Sequence, residues 1–253
     1  MMQFRGLGLA LAGALLLSLS APAAAQDAAS DFSPSEEQAI RDLVRDYLVE
    51  HPEVLVEALQ VYQERQRAEA AERQREAVAA QKELLSEDTR SPAIGNLEGD
   101  VVIVEFFDYK CGYCRSVAEQ VRASVKDDGN IRLVMKEFPI LSAESRLAAR
   151  AALAAAKQDR YEDYHFELMK VPGSLNKANL LKVAESIGMD PDQLEQDMQD
   201  PEIDAELRRT YDLARALQIN GTPAFVIGDQ VIPGAVDMQT LRNMVAEQRA
   251  KSS

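Results

Sequence analysis

The stretch Val101-Val102-Ile103-Val104-Glu105-Phe106-Phe107-Asp108-Tyr109-Lys110-Cys111-Gly112-Tyr113-Cys114 decides how this chain is read. Its first seven residues are apolar on both faces except at Glu105, the pattern of a central strand covered by helices. A helical pattern follows the cysteines, and these are the only two in 253 residues. A thiol at a helix start lies near free backbone N–H groups that favour its thiolate, and a second thiol two residues on can attack a mixed disulfide formed by the first. The spacing therefore points to thiol–disulfide exchange. Other uses of the pair compete with it. A structural staple closing so short a loop would contribute only about 2 kcal/mol in the loop-entropy picture. Zinc would need His51 and His165, both far away in the chain, to complete a four-ligand set, and two thiolates alone suit Cu(I) better.

Composition sets the setting. At 46% hydrophobic and 28% charged residues the chain is of the globular class. Arg5 and the amino terminus, the apolar run from Leu7 to Leu19 and the small residues Ala21-Pro22-Ala23-Ala24-Ala25 form an export-signal pattern, with cleavage expected after about Ala25. The run is short for a membrane span, and no later segment is apolar enough to anchor the chain. In an oxidising compartment a spare thiol would be open to wrong pairing, so a single cysteine pair is consistent with export. The net charge of −14 argues against nucleic acid or an anionic membrane as partner, although acidity also serves solubility alone.

Upstream, Ser33, Pro34 and Glu36 make a capping-box helix start, and Ile40, Leu43, Val44, Tyr47 and Leu48 recur at helical spacing as one apolar stripe. Glu50-His51-Pro52 interrupts it, because a residue before proline is pushed out of the helical region. A second helix carries Val54, Leu55, Leu59 and Tyr62 near its start and then stays polar towards Leu84-Leu85. If continuous it is roughly 50 Å long and buries no face of its own in a globular core. The stripe is best hidden against copies of itself, although the helices could instead fold back on the main domain. Turn residues between Glu87 and Asp100 mark a boundary. The chain thus divides into a signal (1–25), a helical oligomerisation region and stalk (26–86) and a catalytic domain (87–253).

Beyond the cysteines the order is helix, turn, the strand Ile131 to Phe138, a helical block over about 142–218, then Thr222-Pro223, a hairpin from Ala224 to Gly234 and a last helix from about Asp237.

Strand, Cys-x-x-Cys helix, strand, helical insertion, Thr-Pro, hairpin and helix together resemble the thioredoxin fold of the DsbA-like family, an α/β fold with an inserted helical subdomain. The resemblance covers about Pro92 to Gln248 and rests on Phe106 to Cys114 and on Gly221-Thr222-Pro223-Ala224-Phe225. It implies that Cys111 is the exposed nucleophile, Cys114 the buried resolving thiol and Pro223 a cis-proline beside them. It places the backbone of Thr222 against the disulfide and implies that Glu105 is a buried acid exchanging a proton with Cys114, against the plainer reading of a glutamate reaching solvent. The redox-active disulfide Cys111–Cys114 would then serve in place of any cofactor. Gly112-Tyr113 lacks the histidine of strongly oxidising DsbA proteins; Cys-Gly-Tyr-Cys after a strand, with threonine before the proline, is similar to DsbC-type isomerases. The whole layout resembles ScsC-type proteins. The resemblance implies a periplasmic, homo-oligomeric disulfide isomerase or reductase acting on misfolded exported proteins, reset by a membrane redox partner. The alternatives are a monomeric DsbA-like oxidase and a copper-binding or holdase protein.

Overall fold

The computed structural model describes residues 32–252, so the expected export signal lies outside the described residues. The chain divides into two compact units, one ending at Val61 and one beginning at Tyr62.

In the first unit Ser33 caps helix α1 (Pro34–Glu50) with its hydroxyl, and Glu36 reaches back to the Ser33 N–H, closing the capping box. The helix stops at His51, whose N–H still bonds the Tyr47 carbonyl, and α2 (Glu53–Ala80) starts beyond Pro52. Nothing on α1 is buried. Leu43 and Val49 are 70% and 72% exposed, and Ile40, Val44, Leu48, Val49 and Leu55 line a shallow apolar cleft of about 530 Å³.

In the second unit α2 gives way to a short π-helical turn (Glu83–Glu87), and five strands follow: β1 (Ala93–Gly95), β2 (Val101–Phe107), β3 (Ile131–Glu137), β4 (Ala224–Ile227) and β5 (Gln230–Pro233). They form one sheet in the order β1-β3-β2-β4-β5. β2 and β3 are parallel, joined through α3 (Gly112–Asp128), and every other pairing is antiparallel. Helix α3 ends where Gly129 takes the left-handed conformation, φ 73°. Five helices fill the insertion between β3 and β4: α4 (Ala143–Ala156), α5 (Tyr161–Lys170), α6 (Lys177–Ser186), α7 (Pro191–Asp197) and α8 (Pro201–Ala216). Helix α9 (Met238–Ser252) closes the fold, and no helix among the described residues is long and apolar enough to cross a membrane.

Strand alternation divides the core. Ile103 and Phe107 of β2, Leu133 and Met135 of β3 and Phe225 of β4 face α3, the insertion and α9. Val104, Phe106, Val134 and Val226 face the other way, where Leu213 and Leu217 cover them together with Val78 and Leu85. The last contact corrects the reading of the second helix as burying no face: its final turn and the π-helical turn pack on the sheet. β1 was also not anticipated, being three residues among Pro92, Gly95 and Gly99 that pair along Val134, Leu133 and Arg132.

Candidate active site

Cys111 is the N-cap of α3. Its extended backbone (φ −74°, ψ 117°) turns the chain from strand to helix, and its Sγ accepts the Cys114 N–H at 3.5 Å. The same sulfur donates to the Thr222 carbonyl at 3.2 Å, across 111 residues of chain. The Thr222–Pro223 peptide bond is cis. Cys114 is fully buried one turn into the helix, whereas Gly112 is exposed and Tyr113 is 71% exposed. Both thiols are free.

Burial is the main reason the Cys114 thiol is held well above the ordinary thiol range; a backbone N–H from Asp108 opposes this, and the charge of Glu105 adds to it. Glu105 sits mid-strand between Met135 and Phe225, only 3% exposed, and burial raises its carboxyl to about 8. Cys111 and Cys114 thus meet Thr222 and Pro223 at one end of the sheet, and Glu105, inside β2, acts on Cys114 through its charge. Contrary to the expectation of an exposed nucleophile, both cysteines are buried, Cys111 keeping 7% of its surface and Cys114 none, because the Thr222 carbonyl lies over the Cys111 sulfur while the helix encloses Cys114. This geometry accommodates nucleophilic attack, resolution and proton transfer.

Several residues shaping the site went unread in the sequence. Asp108 is buried; its carboxylate accepts the N–H groups of Lys110 (2.7 Å) and Leu141 (2.9 Å), and its carbonyl accepts that of Cys111 (3.0 Å). The Lys110 ammonium bonds the Gly173 carbonyl and pairs with Glu144 at 3.0 Å, tying the turn to the insertion. Bonds from Ser174, Lys110 and the Leu175 N–H hold Glu144 down at about 2. Tyr109 and Tyr161 donate to the same oxygen of buried Glu137 at 3.0 and 2.9 Å, while His165 Nδ1 lies 3.0 Å from the Tyr109 hydroxyl. Burial drives the Glu137 carboxyl well up and the His165 imidazole down to about 3. The only sequence signal for these was an aspartate placed to close a turn; burial of the others comes from the insertion's packing.

Comparison with known proteins matches this architecture. The model of the DSBA-like thioredoxin domain matches residues 102–246, and that of the copper resistance protein ScsC N-terminal domain matches residues 36–69. A thioredoxin-like oxidoreductase from Silicibacter pomeroyi DSS-3 is 44% identical, with TM-score 0.64, over 68% of this chain and 98% of its own. Proteus mirabilis ScsC, in a transitional conformation, is 31% identical with TM-score 0.64 over 87% of this chain and 98% of its own. A probable disulfide bond formation protein D of Bacillus anthracis is 26% identical over 63% of this chain and 78% of its own. Other relatives carry the name Na(+)/H(+) antiporter NhaA; for one from Salinispora tropica, the chain spans 23% of the relative's length at 28% identity.

Proposed function

The chain belongs to the DsbA-like thioredoxin family of thiol–disulfide oxidoreductases, and from that premise we propose that it works as an oligomeric disulfide isomerase or reductase on misfolded exported proteins in the periplasm. The Cys111 thiolate attacks a wrong disulfide, forms a mixed disulfide and releases one substrate thiol. In isomerisation another substrate thiol then attacks the mixed disulfide and frees Cys111 unchanged. In reduction the Cys114 sulfur attacks Cys111 Sγ, the second substrate thiol leaves, and two electrons have passed to the substrate. Glu105 takes the proton that Cys114 must lose. A membrane redox partner then returns the pair to the dithiol state.

The observation that carries the isomerase reading is the apolar stripe of α1, exposed at Ile40, Leu43, Val44 and Tyr47 and half-buried at Leu48, in a segment that matches the ScsC N-terminal domain. Association through this stripe presents several active sites to one substrate. Reactivation of scrambled ribonuclease, run beside light scattering, tests it: isomerase turnover by an oligomer supports the reading, and insulin reduction without reshuffling opposes it. A second reading, a monomeric dithiol oxidase, draws on the similarity to the Bacillus anthracis disulfide bond formation protein. The copper-binding reading draws on the description of the matched N-terminal domain, and copper retained by the dithiol form through desalting would support it.

A further inference from the structure

A cleft of about 610 Å³ opens beside the end of β3, and Pro139, Arg146, Arg150, Arg208 and Tyr211 line it. It is tied closely to the active site. The Phe138 N–H donates to the Phe107 carbonyl at 2.9 Å, joining the exits of β3 and β2, and the Tyr211 ring packs edge-on against Phe138 at 5.1 Å. Two residues past Pro139, the Leu141 N–H binds the Asp108 carboxylate, and the Asp108 carbonyl binds the Cys111 N–H. Large apolar side chains are exposed along this connection: Tyr113 beside Cys111, Leu141 at 53% and Tyr211 at 42%.

The cleft also carries charge without partners. Arg150 is paired with Asp204 and bonds the Met198 carbonyl. Arg146 and Arg208, on α4 and α8, have no carboxylate within ion-pair distance among the described residues, and Asp212 is the remaining acid of the lining. The cleft therefore has an arginine excess on a chain whose net charge is −14. Guanidinium groups pair with carboxylates through two parallel hydrogen bonds and stack on aromatic faces.

We propose that this cleft is a substrate subsite that receives the polypeptide segment next to the cysteine attacked by Cys111, and that it selects segments carrying an aromatic side chain beside acidic residues. The proposal rests on the thiol–disulfide exchange reading above. Tyr211 and Pro139 offer the ring a surface, and Arg146 and Arg208 bind the carboxylates that the acidic remainder of the protein repels.

The test uses the full chain in its dithiol form and two synthetic peptides. Each has one cysteine in mixed disulfide with glutathione, an extended spacer and a tyrosine flanked by two glutamates or by two lysines. Reduction moves two electrons from the protein dithiol to the peptide disulfide and releases peptide thiol and glutathione. The wild type is expected to reduce the glutamate peptide about fivefold faster, the effect of one or two exposed ion pairs. The Arg146→Gln/Arg208→Gln double variant should lose that preference while keeping the wild-type rate with oxidised glutathione. Equal rates for the two peptides in the wild type, or an undiminished preference in the variant, would overturn the proposal. If no disulfide were reduced, oxidised glutathione included, the exchange reading beneath it would fall instead.

Discussion

The Cys111 thiol donates to the Thr222 carbonyl at 3.2 Å, which makes the backbone before Pro223 a direct neighbour of the reactive sulfur. The contact uses the carbonyl and not the threonine side chain, so Thr222→Val leaves it in place. That variant should react with oxidised glutathione within about threefold of the wild type, a change of under 1 kcal/mol. A loss of more than about tenfold in stopped-flow measurement would show that the hydroxyl contributes.

Cys111 stands at the N-cap of α3 with 7% of its surface open, and Cys114 lies inside the helix with none, so the two thiols should separate cleanly by substitution. Cys111→Ser should abolish insulin reduction, whereas Cys114→Ser should accumulate mixed disulfides that survive non-reducing electrophoresis. Wild-type turnover in Cys114→Ser would contradict the division of roles.

Glu105 should couple stability to pH. Its carboxyl is raised to about 8 from an ordinary 4.5, so the fold favours the protonated form. Stability from this group is fully present below pH 4.5 and is lost as pH rises towards about 8, at roughly 1.4 kcal/mol per pH unit. His165, held down at about 3, acts with the opposite sign below its ordinary 6.5. The difference between wild type and Glu105→Gln isolates the glutamate. Urea unfolding should show the variant gaining about 2–4 kcal/mol on the wild type between pH 5 and pH 8, with slower release of substrate from the mixed disulfide. A pH-independent difference would place the charge elsewhere.

Much of this was legible because the strands and helices carry strong local signals. Val101 to Phe107 is apolar except at Glu105 and forms β2 over those same residues, and Ser33 with Glu36 closes the capping box that starts α1. What was not legible depends on packing between segments distant in the chain. Leu85 lies in a polar neighbourhood and is buried only because the sheet offers Val104 and Val226 to it. Glu137 and His165 are polar residues whose burial follows from α5 bringing Tyr161 to Glu137 and His165 to Tyr109, and Asp108 gains its role when Leu141, 33 residues later, returns to it. Local periodicity carries no trace of such partners.

Leu85 gives this point a stability test. Leu85→Ala should lower the unfolding free energy by about 2–4 kcal/mol, as for other buried leucines, and it should do so equally in a chain lacking residues 26–61. A change under about 0.5 kcal/mol would mean that the π-helical turn packs too loosely to belong to the core. Truncations that aim to keep the catalytic unit intact should therefore stop near Val61 and leave Val78 and Leu85 in place.

The central claim is that the apolar stripe of α1 makes this thiol–disulfide oxidoreductase an assembly. Burying Ile40, Leu43, Val44, Tyr47 and Leu48 would contribute about 1.5–3 kcal/mol per side chain before the costs of association are subtracted. Light scattering of the protein from Gln26 onward, at micromolar concentration, tests this most directly. The account predicts a mass that is a multiple of the chain's, falling to one chain when the protein begins at Tyr62. A single-chain mass for the longer protein would contradict it and leave the monomeric oxidase reading in its place.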